Sequence, residues 1–142
     1  MDHVVYVDAR EQELEKLLDG SQTMLIRGAA GRKMPYGRVH EKDVLYFIRN
    51  NSEGTVQGRA NVKRVLNSEK MDKTASLKMV EDHQSKLQLS AARKKRWGGK
   101  RYLVLIEIEQ VQPVQPFSID RSAYGNMDDW LPVADVTSVI AE

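Results

Sequence analysis

The run RYLVLIEIEQV, residues 101–111, constrains the fold of this chain more than any other stretch. Apolar and β-favouring side chains crowd its first half, and Glu107 and Glu109 alternate with apolar residues toward its end, which is the pattern of a strand. Pro113 and Pro116 are expected to close it, because proline cannot donate to a ladder. Such a strand needs partners, and the rest of the chain supplies them. TMLIR (23–27) reads as a strand, as does Val44–Ile48 behind a turn at Glu41, Lys42 and Asp43. The polar turn NNSEG leads into VQGRANVKRV, a returning strand with Gly58 marking a bulge. A last strand is expected around Val133–Val139.

Helical periods interrupt these strands. DAREQELEKLLDG predicts a short amphipathic helix at about 9–19, with Leu14, Leu17 and Leu18 on one side and Gly20 as its stop. From Asp72 onward, Leu77, Val80, Gln84 and Leu87 recur at helical spacing behind Asp72 or Thr74 as a cap. Ser90 opens a second, basic helix, SAARKKRW, which Gly98 and Gly99 terminate. Strands flanking a helical insertion indicate an α+β fold: a small curved antiparallel or mixed sheet, open or closed as a barrel, decorated by helices. At 142 residues the chain is expected to form a single domain over 1–142.

The formal charge of +2 conceals a segregation along the sequence. Residues 25–38 contain four Lys/Arg and residues 86–101 contain seven, with no acid in either window. These windows thus hold 11 of the 22 basic residues and none of the 20 acids, leaving the remainder at −9. Brought together by folding, the two segments would make a basic patch for phosphates or other anions; kept apart, they are solvated faces. Arg27, Arg32, Lys33, Arg38, Lys94, Arg96, Lys100 and Arg101 are the candidate anion-binding residues. In the loop after TMLIR, Gly28, Gly31 and Gly37 would let backbone N–H groups approach an anion as a nest, although glycines there also suit a plain hairpin connection. The loop does not match a P-loop. Trp97 and Tyr102 sit among the second set of cations, an interleaving that suits single-stranded nucleic acid. Trp97 is expected to pack the helix on the sheet, with Tyr102 beginning the core strand.

A third stretch, DRSAYGNMDDW, concentrates stacking and hydrogen-bonding groups. With Tyr36, its residues Arg121, Tyr124, Asn126 and Trp130 are candidates for a base pocket. Asp128 and Asp129 read as turn and cap chemistry in preference to paired carboxylates for acid–base work or a metal, since adjacent residues on an extended backbone point opposite ways. No His or carboxylate spacing predicts a metal site, no nucleophile motif occurs, and no cofactor is implied. There is no cysteine, the N-terminal segment is charged, and no eighteen apolar residues run together. The expectation is a cytoplasmic protein with no signal peptide or membrane span. Oligomeric state is not legible.

The order of these motifs over residues 11–139 resembles the PUA-like superfamily, in particular its ASCH and EVE-type domains. Gly20 and Arg27 match the ASCH pattern of a glycine and a downstream arginine entering the first strand. Lys42-Asp43 stands where Gly-Asp is usual, and Gln22 where a lysine is expected. The resemblance implies a pseudo-barrel with a cleft for RNA or a modified base. It also implies that the lysine, threonine and glutamate of amidohydrolase-like relatives correspond to Gln22, Leu25 and Ser76, none of which can perform that chemistry. The reading is therefore a non-catalytic module for RNA, single-stranded nucleic acid or a modified base. The alternative is a small hydrolase of modified nucleosides with a rearranged set, Lys33 or Lys70 with Glu69 or Asp129. A protein-interaction role, with the basic patch meeting an acidic partner, is a third reading.

Overall fold

A computed structural model describes residues 1–124 and 129–141. One six-stranded sheet runs through it in the order β2-β5-β4-β3-β1-β6. Its strands are β1 (Asp2–Val7), β2 (Met24–Ala29), β3 (Val44–Arg49), β4 (Thr55–Asn67), β5 (Tyr102–Ser118) and β6 (Trp130–Ala134). Helix α1 (Glu13–Asp19) follows β1. Helices α2 (Lys73–Asp82), α3 (Gln84–Leu87) and α4 (Ala91–Trp97) lie between β4 and β5. All pairings are antiparallel except β1 with β3, which is parallel. The sheet is thus mixed and curled into a half-barrel, the expected α+β class with a curved sheet and decorating helices.

Side-chain alternation splits the apolar residues of β2 and β5 between two cores. Leu25, Val104, Ile106 and Ile108 face the barrel interior, where Leu14 and Leu17 of α1 join them. Met24, Ile26, Leu103 and Leu105 face outward, covered by Val80, Leu87 and Trp97 of the helical insertion. Because both faces of β5 are covered in its first half, RYLVLIEIE is almost continuously apolar. Burying Leu14 and Leu17 stabilises the α1 docking by about 2 kcal/mol each. A third cluster, with Val4, Ile48, Leu131 and Val136, closes the other end of the sheet.

The caps fall where expected. Asp72 Oδ1 accepts the Ala75 N–H at 2.8 Å, Ser90 Oγ accepts the Arg93 N–H at 3.2 Å, and Gly20 ends α1 at φ 82°. Four expectations need correction. β1 is a strand, and α1 begins at Glu13 rather than near residue 9. β5 continues through Pro113 and Pro116 to Ser118. Beyond Glu107 it pairs with β4 alone, so the prolines sit on a one-sided stretch, and Pro113 lies opposite Gly58 at a register shift. The last strand ends at Ala134, and Val136–Val139 is a 3-10 helix. Leu77 is 42% exposed, since α2 buries Ser76 and Val80 instead.

Candidate functional site

The half-barrel is open along one seam, between its edge strand β2 and the opposite end of the sheet, made of β1 and the edge strand β6. Arg27 lies two residues after Leu25 on the same strand and so shares its inward direction. Its Nη2 donates across the seam to the Tyr6 carbonyl at 2.7 Å, and its Nη1 donates to the Ile26 carbonyl at 2.8 Å. The guanidinium lies 5.7 Å from the Trp97 ring and 5.5 Å from the Trp130 ring, and Arg27 is only 6% exposed. Such a position suits a cation held by two aromatic faces.

A cleft of about 400 Å³ opens over this arginine. Arg27, Arg93, Arg96 and Arg121 line it, with Tyr6, Asn50 and Ser52 and the carboxylates Asp8, Glu13 and Asp129. A second lobe of about 230 Å³ shares Arg27, Arg96, Trp97 and Asp129 and adds Lys33, Met34 and Lys100. The two basic segments therefore converge on one hollow. Gly28 makes the approach possible, because a Cβ there would stand 2.7 Å from Leu103 Cδ2 and 3.2 Å from Lys100 Cβ. The Gly37 N–H is taken by Asn67 Oδ1 at 2.9 Å, so that glycine does not contribute to the expected anion nest.

Under the inner lobe lies a buried polar network. Glu13 is 1% exposed, and its Oε2 accepts from Arg93 Nη2 at 2.7 Å and Gln22 Nε2 at 2.8 Å, while Oε1 accepts the Asp8 N–H at 2.9 Å. Burial pushes the Glu13 carboxyl up, but the Arg93 and Arg27 charges, with the Gln22 and Asp8 hydrogen bonds, hold it below the ordinary range. Arg93 is also 6% exposed and lies 3.5 Å from Glu11 through Nε.

Of the eight predicted cations, Arg27, Lys33, Arg96 and Lys100 line the cleft. The other four lie away from it. Arg32 stacks over Tyr36 and Tyr102 on the outside of the loop, and Lys94 pairs with Glu81 at 3.1 Å. Arg38 and Arg101 are exposed and line neither lobe. Among the base-pocket candidates, Arg121 lines the inner lobe, 5.2 Å over the Tyr6 ring. Tyr36 donates to the Ser68 carbonyl and packs edge-on against Tyr102. Tyr124 donates to the Pro132 carbonyl at 3.2 Å. Trp130 is 2% exposed and gives its N–H to His3 Nδ1 at 3.1 Å, so it supports Arg27 from below and has no free face for a base. Asn126 lies outside the described residues, as does Asp128.

Glu13, Arg93, Asp8, Tyr6, Asn50 and Ser52 were not read from the sequence as site residues. Arg93 stood inside the acid-free window, the one signal that pointed to it. The positions assigned to catalysis by resemblance are structural here: Gln22 holds Glu13, Leu25 is in the barrel core, and Ser76 Oγ accepts the Gly99 N–H at 3.0 Å. Among the described residues, no cluster of three or more His, Asp or Glu is placed to hold a metal ion, and no helix is long and apolar enough to cross a membrane.

No protein-family model matches the sequence, and no curated protein is similar to it. Solved structures do match. The ASCH protein from Zymomonas mobilis superposes with a TM-score of 0.69 at 12% identity, over 99% of this chain and 96% of that one. One mutant of the same protein gives 0.69 at 12% identity over 99% of both chains. Another gives 0.62 at 13% identity over 82% of this chain and 73% of that one. The chain therefore has the fold of that ASCH protein, an α+β half-barrel.

Proposed function

We propose that the cleft binds RNA or another single-stranded nucleic acid, modified bases included, as a module that does not transform its ligand. The supporting observation is the meeting of residues 27–33 and 96–100 around one concave surface, where Arg27, Lys33, Arg96 and Lys100 face, among the described residues, a single carboxylate, Asp129, in the outer lobe. Cations so placed would follow a phosphate backbone and position the strand. Arg96 also lies 4.5 Å over the Trp97 ring, a planar layer on which a base can stack. The fold's likeness to the ASCH protein agrees with this reading.

Fluorescence anisotropy with a labelled single-stranded oligonucleotide, repeated across NaCl concentrations, tests the proposal. Affinity is expected to fall with salt, with a log–log slope of about −0.7 for each phosphate contacted. Replacing Arg96 and Lys100 together by alanine should reduce both affinity and slope. A binding constant indifferent to salt would remove the phosphate basis of the reading.

One observation favours the hydrolase alternative: Lys33 and Asp129 line the same lobe, whereas Glu69 and Lys70 are exposed outside it. Incubation with a panel of acylated nucleosides decides between the two. Turnover that disappears in Lys33→Met would establish the enzyme; intact substrates would leave the binding module.

A further inference from the structure

Arg27 and Arg93 reach the inner lobe from β2 and α4, and each keeps a buried N–H unused. Two of the Arg27 nitrogens are committed to the carbonyls of Ile26 and Tyr6, while its Nε has no hydrogen-bond partner among the described residues. The Asp129 carboxylate lies 3.4 Å from that Nε, an ion-pair contact without hydrogen-bond alignment, on a side chain 44% exposed. Arg93 gives Nη2 to Glu13 and approaches Glu11 through Nε, while its buried Nη1 has no partner among the described residues. Buried donors are almost always satisfied in folded proteins, so two unsatisfied guanidinium donors lining one cavity ask for an acceptor from outside.

That acceptor must be compact enough to reach groups this deeply buried and must offer several oxygens to donors arriving from different elements. A tetrahedral oxyanion meets both conditions, and guanidinium suits it particularly well. The surrounding charge narrows the class. Arg96 and Arg121 stand above the floor and Lys33 and Lys100 line the neighbouring lobe, enough cations for a polyanion rather than for one isolated carboxylate.

We propose that the inner lobe is a phosphate subsite: one phosphate of the bound strand accepts from Arg27 Nε and Arg93 Nη1, displacing Asp129, which occupies Arg27 in the free protein. The subsite rests on the reading of the cleft as a strand-binding surface and adds where the strand is gripped. Asp129 thereby acts as an internal competitor, an anion tethered beside the donor that the ligand needs.

The test is a titration with inorganic phosphate at constant ionic strength, with chloride as the control, following the arginine Nε–H signals by 15N NMR. A saturable shift of the Arg27 signal is expected with phosphate and none with chloride. Asp129→Asn should tighten phosphate several-fold by removing the competitor. Arg93→Lys, which keeps a cation beside Glu13, should weaken it roughly tenfold, as expected for loss of a charge-assisted fork. If Arg93→Lys does not fold, the exposed Asp129→Asn substitution still decides the matter. No saturation, or weaker phosphate binding in Asp129→Asn, overturns the subsite.

Oligonucleotides with phosphorylated or hydroxyl ends identify the source of the phosphate. A preference for a phosphorylated end, lost in Arg93→Lys, assigns the subsite to the strand terminus. Equal affinities, both reduced by Arg93→Lys, assign it to an internal phosphodiester. Salt-dependent oligonucleotide binding that Arg93→Lys leaves unchanged refutes the subsite but leaves the function of the cleft standing. Saturation by phosphate without any oligonucleotide binding does the opposite.

Discussion

Two buried polar networks meet at Trp130, and one is closed while the other is open. At the indole edge, Trp130 Nε1–H donates to His3 Nδ1 at 3.1 Å, which places the imidazole proton on Nε2, 2.9 Å from Asp43 Oδ2. That carboxylate oxygen also accepts the His40 N–H at 2.9 Å. Both ring nitrogens of His3 are thus satisfied. Around Arg27, the residues Glu13, Gln22, Arg93 and Arg27 form a network of similar depth that leaves Gln22 Oε1, Arg93 Nη1 and Arg27 Nε without hydrogen-bond partners among the described residues. A closed network fixes one packing of the sheet end; an open one keeps donors in reserve at a cost in stability. The contrast separates residues that hold the fold from residues that await a ligand.

The largest effect should come from breaking the open network. Arg93→Met strands the Glu13 charge and is expected to lower stability by about 3–5 kcal/mol in urea unfolding. Adding Glu13→Leu removes the stranded charge and should restore most of that loss. The double variant should nevertheless bind oligonucleotide poorly, because the donors are gone. Recovery of both stability and binding would show the network to be purely structural.

The closed network responds to pH instead. Burial lowers the His3 pKa, only partly opposed by the Asp43 hydrogen bond and charge. A His whose folded pKa lies below its unfolded value stabilises the protein fully when neutral. Stability should therefore decline as pH falls below about 6.5, where the unfolded chain begins to take up the proton. Protonation of Nδ1 would also set two donors against each other at Trp130. Asp43 and Glu13 act lower: burial raises each, but His3 and backbone hydrogen bonds lower Asp43, and Arg93 lowers Glu13, leaving both below their ordinary values. Their contribution is present above the unfolded pKa values of 3.8 and 4.5 and is lost as pH falls through the folded ones. Urea midpoints measured from pH 7.5 to 5 should show the first decline in wild type and a smaller one in His3→Gln. Equal slopes would remove His3 from the account.

These networks also show what a sequence can and cannot disclose. Strand and helix periods were readable because Leu25, Ile26 and Val104–Ile106 serve two cores at once, and Asp72 and Ser90 cap locally. The N-terminal strand was obscured by the charges around Val4–Val7, and its partner β3 begins some forty residues away. The prolines of β5 read as a stop because a sequence does not show that only β4 pairs there. At the site, an acid-free window announces cations but not their directions. Glu13 looks like part of the solvated face of a short helix; it is buried, and its charge is met by Arg93, eighty residues later. Trp130 read as a base platform because an exposed and a buried tryptophan are the same letter.

The smallest predicted effect is the sharpest on direction. Lys94 and Arg96 are two residues apart on α4, roughly 200° around the helix, and so occupy opposite sides. Lys94 pairs with Glu81, itself 62% exposed, whereas Arg96 lines both lobes. An exposed ion pair of this kind contributes about 0–1 kcal/mol. Lys94→Ala should accordingly leave the urea midpoint nearly unchanged and oligonucleotide affinity within about twofold, while Arg96→Ala loses several-fold more. Both substitutions remove one positive charge from the same helix, so net charge cannot distinguish them. If the two lowered affinity equally, binding would follow the overall field of a basic helix, and the cleft geometry would have no part in it.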